Sequence, residues 1–241
     1  MGRDKLFANP LDQVDAFAFD DKVASVFPDM INRSVPGYGT MISLAGVLAA
    51  NAAQANSQIY DLGCSLGATS AAIASRLSIN SCRIIAVDNS DSMLSRCKHN
   101  LDELGLSVPV EARCADIRDI DIDNASVVCL MLTLQFLPIE DRSAMITKIY
   151  NGMNPGAMLL LAEKLRFDDS RQQQFHTQGH EAFKRANGYS ELEISQKRTA
   201  LENVLVAETV DQHQQRLHEA GFSQVHLWFQ TFNFFAWAAI K

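Results

Sequence analysis

The residues best placed for chemistry lie in Asp61-Leu62-Gly63-Cys64-Ser65-Leu66-Gly67, where an apolar run gives way to a helical one through a loop bounded by Gly63 and Gly67. Glycine lets the main chain approach a ligand closely. The spacing is neither Gly-x-Gly-x-x-Gly nor a Walker loop, which argues against a cradle for a pyrophosphate. It fits a nucleoside site in which the helix N-terminus after Gly67 faces an anionic group such as an amino-acid carboxylate. Asp88 closes the next apolar run, where an acidic side chain can accept both hydroxyls of a ribose, with Asn89 beside it for the adenine. After the third run, Asp116 offers a carboxylate to an adenine amino group and Ile117 an apolar side chain to its ring. Each feature alone also has a reading as an ordinary turn. Together they occupy the carboxyl ends of successive strands, where open α/β sheets bind their ligands.

The elements that must position them follow from hydrophobic periodicity. Strands are expected at 58–62, 83–87, 108–114, 126–132 and 157–162, with helices between them; Ser90 caps one helix and Gly105 ends it, and Pro138 with Glu140 and Asp141 opens another. Asn154-Pro155-Gly156 is read as the turn that stops that helix. This alternation predicts an α/β fold with a Rossmann-like, mostly parallel sheet covered on both faces. Residues 1–55 are expected to form an N-terminal helical cap. Residues 165–206 break the alternation as a polar helical insertion, a candidate lid, with a capping box from Ser190 to Glu193. A last helix runs from about Thr209, with Gln212 completing a second capping box, to Gly221. Strands 224–230 and 232–240 are too close in sequence for a crossover and are expected as one antiparallel pair on the sheet edge. The aromatics from Trp228 to Trp237 are expected to fill the core around it.

With 241 residues and 47% hydrophobic content the chain can fill one core, so it is read as a single domain. A net charge of −7 gives no long-range pull toward a phosphate backbone, which favours a small-molecule substrate over direct nucleic-acid binding. Cys64, Cys82, Cys97, Cys114 and Cys129 form neither a disulfide framework nor a zinc spacing. No apolar stretch is long enough to span a membrane, and the N-terminus has no secretory pattern, so a reduced cytoplasmic protein is expected. His176 and His180, at i and i+4, share a helix face, but no third ligand accompanies them; they are read as solvated lid residues and no metal is expected. Cys64, at a helix N-terminus, is expected to have a lowered pKa.

The glycine loop resembles that of class I S-adenosylmethionine-dependent methyltransferases. A closer resemblance, over nearly the whole chain, is to the carboxy-S-adenosyl-L-methionine synthase family. It is carried by Val26–Ile31, Arg33–Tyr38, Tyr60–Gly67, Asp116–Ile120 and above all KRANGYSELEISQKRTALEN from Lys184 to Asn203, which general methyltransferases lack. The resemblance implies carboxyl transfer from prephenate to the S-methyl carbon of S-adenosylmethionine, giving phenylpyruvate and carboxy-S-adenosylmethionine for modification of a tRNA wobble uridine. It also implies a homodimer. It assigns cofactor contacts to Tyr38, Gly63, Cys64, Ser65, Asp88, Asn89, Asp116, Ile117 and Met131, and it makes Arg198 the catalytic cation for the added carboxylate, a task suited to a planar guanidinium. By spacing alone Arg198 is a solvated helix charge and Tyr38 a turn aromatic. One departure stands out: the family has Asn where this chain has Met131, so a side-chain hydrogen bond there is lost while a main-chain contact survives. An ordinary methyltransferase and a non-catalytic S-adenosylmethionine-binding protein are the alternative readings.

Overall fold

The computed structural model describes residues 2–79 and 81–241. Helices α1 (Asp21–Ser34) and α2 (Tyr38–Ala52) precede strand β1 (Gln58–Leu62). The alternating unit continues through α3 (Ala68–Ala74), β2 (Arg83–Asp88), α4 (Asp91–Glu103), β3 (Val110–Cys114), β4 (Ala125–Met131), α5 (Ile139–Gly152) and β5 (Met153–Lys164). Helices α6 (Ser170–Ala186) and α7 (Glu191–Leu201) form the insertion, and α8 (Val210–Ala220), β6 (Gln224–Thr231) and β7 (Phe234–Ile240) end the chain. The seven strands are ordered β3-β2-β1-β4-β5-β7-β6, parallel from β3 to β5.

Alternation along each strand divides the core into two layers. Ile59, Val127 and Cys129 face α2 and α3, whereas Tyr60, Leu62, Val128 and Leu130 face α5 and α8 through Met145, Ile149 and Leu217. Both faces of β1 and β4 are therefore mostly apolar and every residue of both strands is buried, as a doubly covered parallel sheet requires.

The structure corrects several expected boundaries. Strand β3 starts at Val110 because Pro109 has no N–H for the ladder. Asn154-Pro155-Gly156 is not a turn between elements: α5 runs into β5 at Gly152, where a Cβ would lie 2.1 Å from the Ile122 carbonyl oxygen. The register steps from Ala125↔Met153 to Val127↔Met158, so the Pro and Gly sit in a bulge, free of the ladder. Strand β4 ends one residue early, because Leu132 turns left-handed at φ 65°. The terminal hairpin makes two antiparallel ladders rather than one, since β7 lies between β5 and β6. The reason is burial: β7 is almost wholly buried and takes the inner place, while the more polar β6 is left on the edge. Phe232, expected in the last strand, forms the turn with Asn233 and is exposed; Phe234, Phe235 and Trp237 are buried in the core as expected.

Of the expected N-terminal cap, residues 21–34 and 38–52 are helical, and the segment before them is a non-helical strap over the insertion. Phe17 N–H donates to the Ala200 carbonyl at 2.9 Å, Tyr189 Oη donates to Asp4, and Arg33 Nε donates to the Asn187 carbonyl at 2.7 Å. The Arg33 guanidinium also stacks 3.8 Å from the Tyr189 ring centre. The insertion is thereby packed against the body on one side by α1 and on another by the strap.

Candidate active site

A cavity of about 390 Å³ opens over the carboxyl ends of the parallel strands, beneath the insertion and the strap. Tyr38, Gly63, Cys64, Ser65, Asp88, Asn89, Asp116, Ile117 and Met131 all line it. The topology brings them together because β1, β2, β3 and β4 end side by side.

The loop after β1 is tightly specified. Gly63 has φ 80°, and a Cβ on it would lie 2.4 Å from Thr133 Oγ1, so no side chain fits. The Gly63 and Cys64 amides both donate to the Val87 carbonyl, at 2.8 and 2.9 Å. Asp88 then fixes the next turn, accepting from Ser65 N–H at 2.8 Å on one oxygen and Ser90 N–H at 2.9 Å on the other. Burial raises the Asp88 pKa while those two amides oppose the rise. The carboxylate thus reaches the cavity already oriented, with further lone pairs for two neighbouring hydroxyls.

Asp61, at the end of β1, accepts from both Ser70 N–H at 3.0 Å and Ser70 Oγ at 2.7 Å, and burial pushes its pKa up to about 6. This consumes one amide of the first turn of α3, a helix of only seven residues, so its N-terminus offers an anion less than the sequence suggested. Cys64 also departs from expectation. Its thiol lies among Ala86, Leu94 and Cys97. A hydrogen bond with the Cys97 thiol, and then burial, raise its pKa instead of lowering it.

Asp116 is held below the usual carboxylate range by its hydrogen bond to Arg118, with the charged groups 2.7 Å apart; Arg118 also pairs with Asp141. Met131 is 8% exposed and shares the α2-facing layer with Val127 and Cys129. Leu132 and Ser65, both non-glycine residues with positive φ, line the cavity after the neighbouring strands β4 and β1. Such conformations cost on the order of 1–3 kcal/mol each and persist only where the surroundings enforce them.

Arg198 does not line this cavity. Its side chain is 66% exposed and pairs with Glu181 at 3.2 Å. The cations that do line the cavity are Arg118, which is paired with Asp116 and Asp141, and three lysines, Lys164, Lys184 and Lys197. Lys164 ends β5, as Asp88 ends β2, but the strand was expected to stop at residue 162, so the lysine was not marked. Lys184 opens the segment that carries the family resemblance and Lys197 lies within it, but helical spacing did not point them inward. Phe17, Phe19 and Phe27 complete the wall from the N-terminal region, with no sequence signal; Phe19 is held there where its carbonyl accepts from Ser90 Oγ.

His176 and His180, expected to be solvated, are both buried. His180 Nε2 donates to the Ser34 carbonyl at 2.7 Å, its ring meets Phe234 edge to face, and burial pushes its pKa down to about 3. The neutral ring is a packing element rather than a metal ligand. Among the described residues no group of three or more His, Cys, Asp and Glu could hold a metal ion, and no helix is long and apolar enough to cross a membrane.

Known proteins resemble this chain in both sequence and fold. A family model described as a methyltransferase domain matches residues 59–156, which span β1 to the start of β5. Carboxy-S-adenosyl-L-methionine synthase from Shewanella sp. (strain W3-18-1) is 55% identical over 99% of this chain and 98% of its own length. The protein of that name from Trichlorobacter lovleyi is 54% identical over the same shares. The chain belongs to the carboxy-S-adenosyl-L-methionine synthase family. Members of this family are transferases built on the class I methyltransferase fold, and solved structures agree on that fold. Magnesium protoporphyrin IX methyltransferase from Synechocystis PCC 6803, with bound S-adenosylmethionine, superposes with a TM-score of 0.60 at 16% identity, over 93% of this chain and 98% of that one. Human N-acetylserotonin methyltransferase, also in complex with S-adenosylmethionine, gives a TM-score of 0.62 at 17% identity, over 92% of this chain and 55% of that one.

Proposed function

We propose that the chain converts S-adenosylmethionine to carboxy-S-adenosylmethionine with prephenate as the carboxyl donor, and that the product serves modification of a tRNA wobble uridine. The observation that supports this reading is the polarity of the cavity. Carboxylates lie at the end over β2 and β3, the nucleoside end in this reading, and lysines from β5, α6 and α7 line the rest, where a nucleoside has no use for them. An ordinary methyl acceptor gives no reason for three lysines, one buried and two half-buried, in one wall; an anionic second substrate does.

In this reading Asp88 accepts the ribose hydroxyls, and Asn89, Asp116 and Ile117 hold the adenine. Gly63, Cys64 and Ser65 allow main-chain contact, and Tyr38 faces the sulfonium end. Burial raises the Tyr38 pKa well above its usual value, so its phenol remains a neutral hydrogen-bonding group. Prephenate loses carbon dioxide and hydroxide to become phenylpyruvate. The hydroxide takes one proton from the S-methyl group, forming water, and the resulting carbanion carbon bonds to the carbon dioxide. The balance needs no base from the protein, whose task is to hold both substrates and exclude bulk water.

Arg198 lies on α7 one residue after Lys197, which lines the cavity, and its exposed side chain pairs with Glu181. We assign it to the new carboxylate, which it reaches by exchanging Glu181 for the product, in a homodimeric protein. The Met131 side chain packs toward α2, so contact at that position comes from its main chain. The test is to denature the purified protein and identify any small molecule it carried, then supply S-adenosylmethionine and prephenate. Carboxy-S-adenosylmethionine and phenylpyruvate in equal amounts are expected. Methyl transfer to another acceptor, with prephenate untouched, would refute the reading.

A further inference from the structure

Three lysines reach the cavity, and they are not equivalent. Lys197 is tied into the fold: its Nζ donates to Ser34 Oγ at 3.0 Å, lies 3.9 Å from Asp4, and stands over the Tyr189 ring. Among the described residues, the ammonium groups of Lys164 and Lys184 have no hydrogen bond and no carboxylate within 4.0 Å. Only the main chain of Lys164 is engaged, its N–H donating to Gln135 Oε1. Glu181, the acid nearest to Lys184 in sequence, is paired with Arg185 and Arg198. Two amines that share a wall and lack partners are unfavourable in the ligand-free protein, because they are partly desolvated and repel one another. Burial lowers the pKa of both, that of Lys184 to about 7.

Their location separates them from the nucleoside. Asp88 ends β2 and Lys164 ends β5, three strand spacings away in the order β2-β1-β4-β5, or roughly 14 Å at the usual distance between strands. Lys164 pairs in register with Phe234, whose ring carries His180, so the amine is flanked by an aromatic wall. Lys184 descends from α6 above it.

We propose that Lys164 and Lys184 form an anion subsite that holds the carboxyl donor by the carboxylate it keeps. The identity of that donor rests on the function proposed above; the subsite itself does not. The choice of carboxylate follows from what a cation does to each. Paired with the group that departs as carbon dioxide, it would stabilise the ground state and lose that contact as charge leaves, which slows the reaction. Paired with the retained 2-oxo-acid carboxylate, it binds substrate and transition state alike. The rest of the wall agrees, since Phe19, Phe27 and Phe136 bring no charge, and Arg118 is already committed to Asp116 and Asp141.

The test uses phenylpyruvate, which carries only the retained carboxylate, titrated calorimetrically into protein saturated with S-adenosylhomocysteine. Lys164→Met and Lys184→Met should each weaken its binding about 10- to 150-fold, the usual strength of a charge-assisted hydrogen bond. S-adenosylhomocysteine affinity should stay within about twofold, and thermal melting of the ligand-free variants should be unchanged or higher, because an unpaired buried charge has been removed. A structural role would lower the melting temperature instead. Phenylpyruvate binding that is absent in the wild type, or unchanged in both variants, overturns the subsite. So does an equal loss of S-adenosylhomocysteine, which would place the lysines on the amino-acid carboxylate. Should either methionine variant fail to fold, Lys164→Gln and Lys184→Gln answer the same question. Lysine-dependent binding in a protein that leaves prephenate unchanged would sink the proposed reaction and leave the subsite standing.

Discussion

Asp88→Asn changes one atom and removes both a charge and an acceptor. Each Asp88 oxygen already accepts one backbone amide, from Ser65 and from Ser90. An asparagine can satisfy only one of them, and its NH₂ then faces the other donor. Leaving that buried amide without an acceptor costs about 1–3 kcal/mol of stability. On the ligand side, two ribose hydroxyls donating to a carboxylate contribute about 1.5–3 kcal/mol each. Part of that is returned, because the neutral side chain no longer pays the desolvation that raises the Asp88 pKa. A net loss of about 2–4 kcal/mol remains, or roughly 30- to 1000-fold in affinity. Calorimetric titration of S-adenosylmethionine reads the binding, and urea unfolding without ligand reads the loop. A variant that binds within about threefold of the wild type would show that Asp88 only braces Ser65 and Ser90, and the ribose assignment would fall.

Gly63→Ala should lower stability by more than about 2 kcal/mol, since a left-handed alanine alone costs about 1–2 kcal/mol and its Cβ would collide with Thr133; an unchanged urea midpoint would refute this. Arg198→Ala should keep S-adenosylmethionine affinity within about twofold and weaken carboxy-S-adenosylmethionine about 30- to 150-fold. Equal loss of both ligands would exclude its assignment to the new carboxylate. The pH dependence of Lys184 is read as the difference between wild type and Lys184→Met, because Glu163, pushed up to about 8 by burial, titrates in the opposite sense. The native Lys184 pKa of about 7 lies below the ordinary 10.5, so between those values the unfolded chain holds a proton the native one has shed. Wild-type stability therefore gains on the variant as pH rises through that window, with a slope approaching about 1.4 kcal/mol per pH unit. A difference that is flat with pH would mean that the Lys184 amine is solvated.

The sequence by itself determined the parallel core, because strands buried on both faces and the glycine loop between β1 and α3 leave a strong local signature. It also marked Asp88, Asn89, Asp116 and Ile117, since a polar residue that closes an apolar run is visible without knowing what the run packs against. Family membership was legible in the segment from Lys184 to Asn203.

Tertiary structure decided the rest. The partner of the terminal hairpin is decided by the pairing of β7 with β5, a long-range ladder between segments far apart in the chain that sets, for example, Leu159 against Ala239. Cys64 reads as a helix-terminal thiol until Cys97 and the surrounding core raise its pKa. His176 and His180 read as solvated because their helix is polar overall, and only the packing of α6 against α1 and the hairpin buries them. The lysine end of the cavity was the least visible. A lysine in an amphipathic helix is ordinarily exposed, and nothing local distinguishes the one that turns inward from the one that meets solvent. Arg198 and Lys197 are adjacent in sequence, yet the helix sends one to Glu181 and the other to Ser34. That choice is made by what α7 packs against.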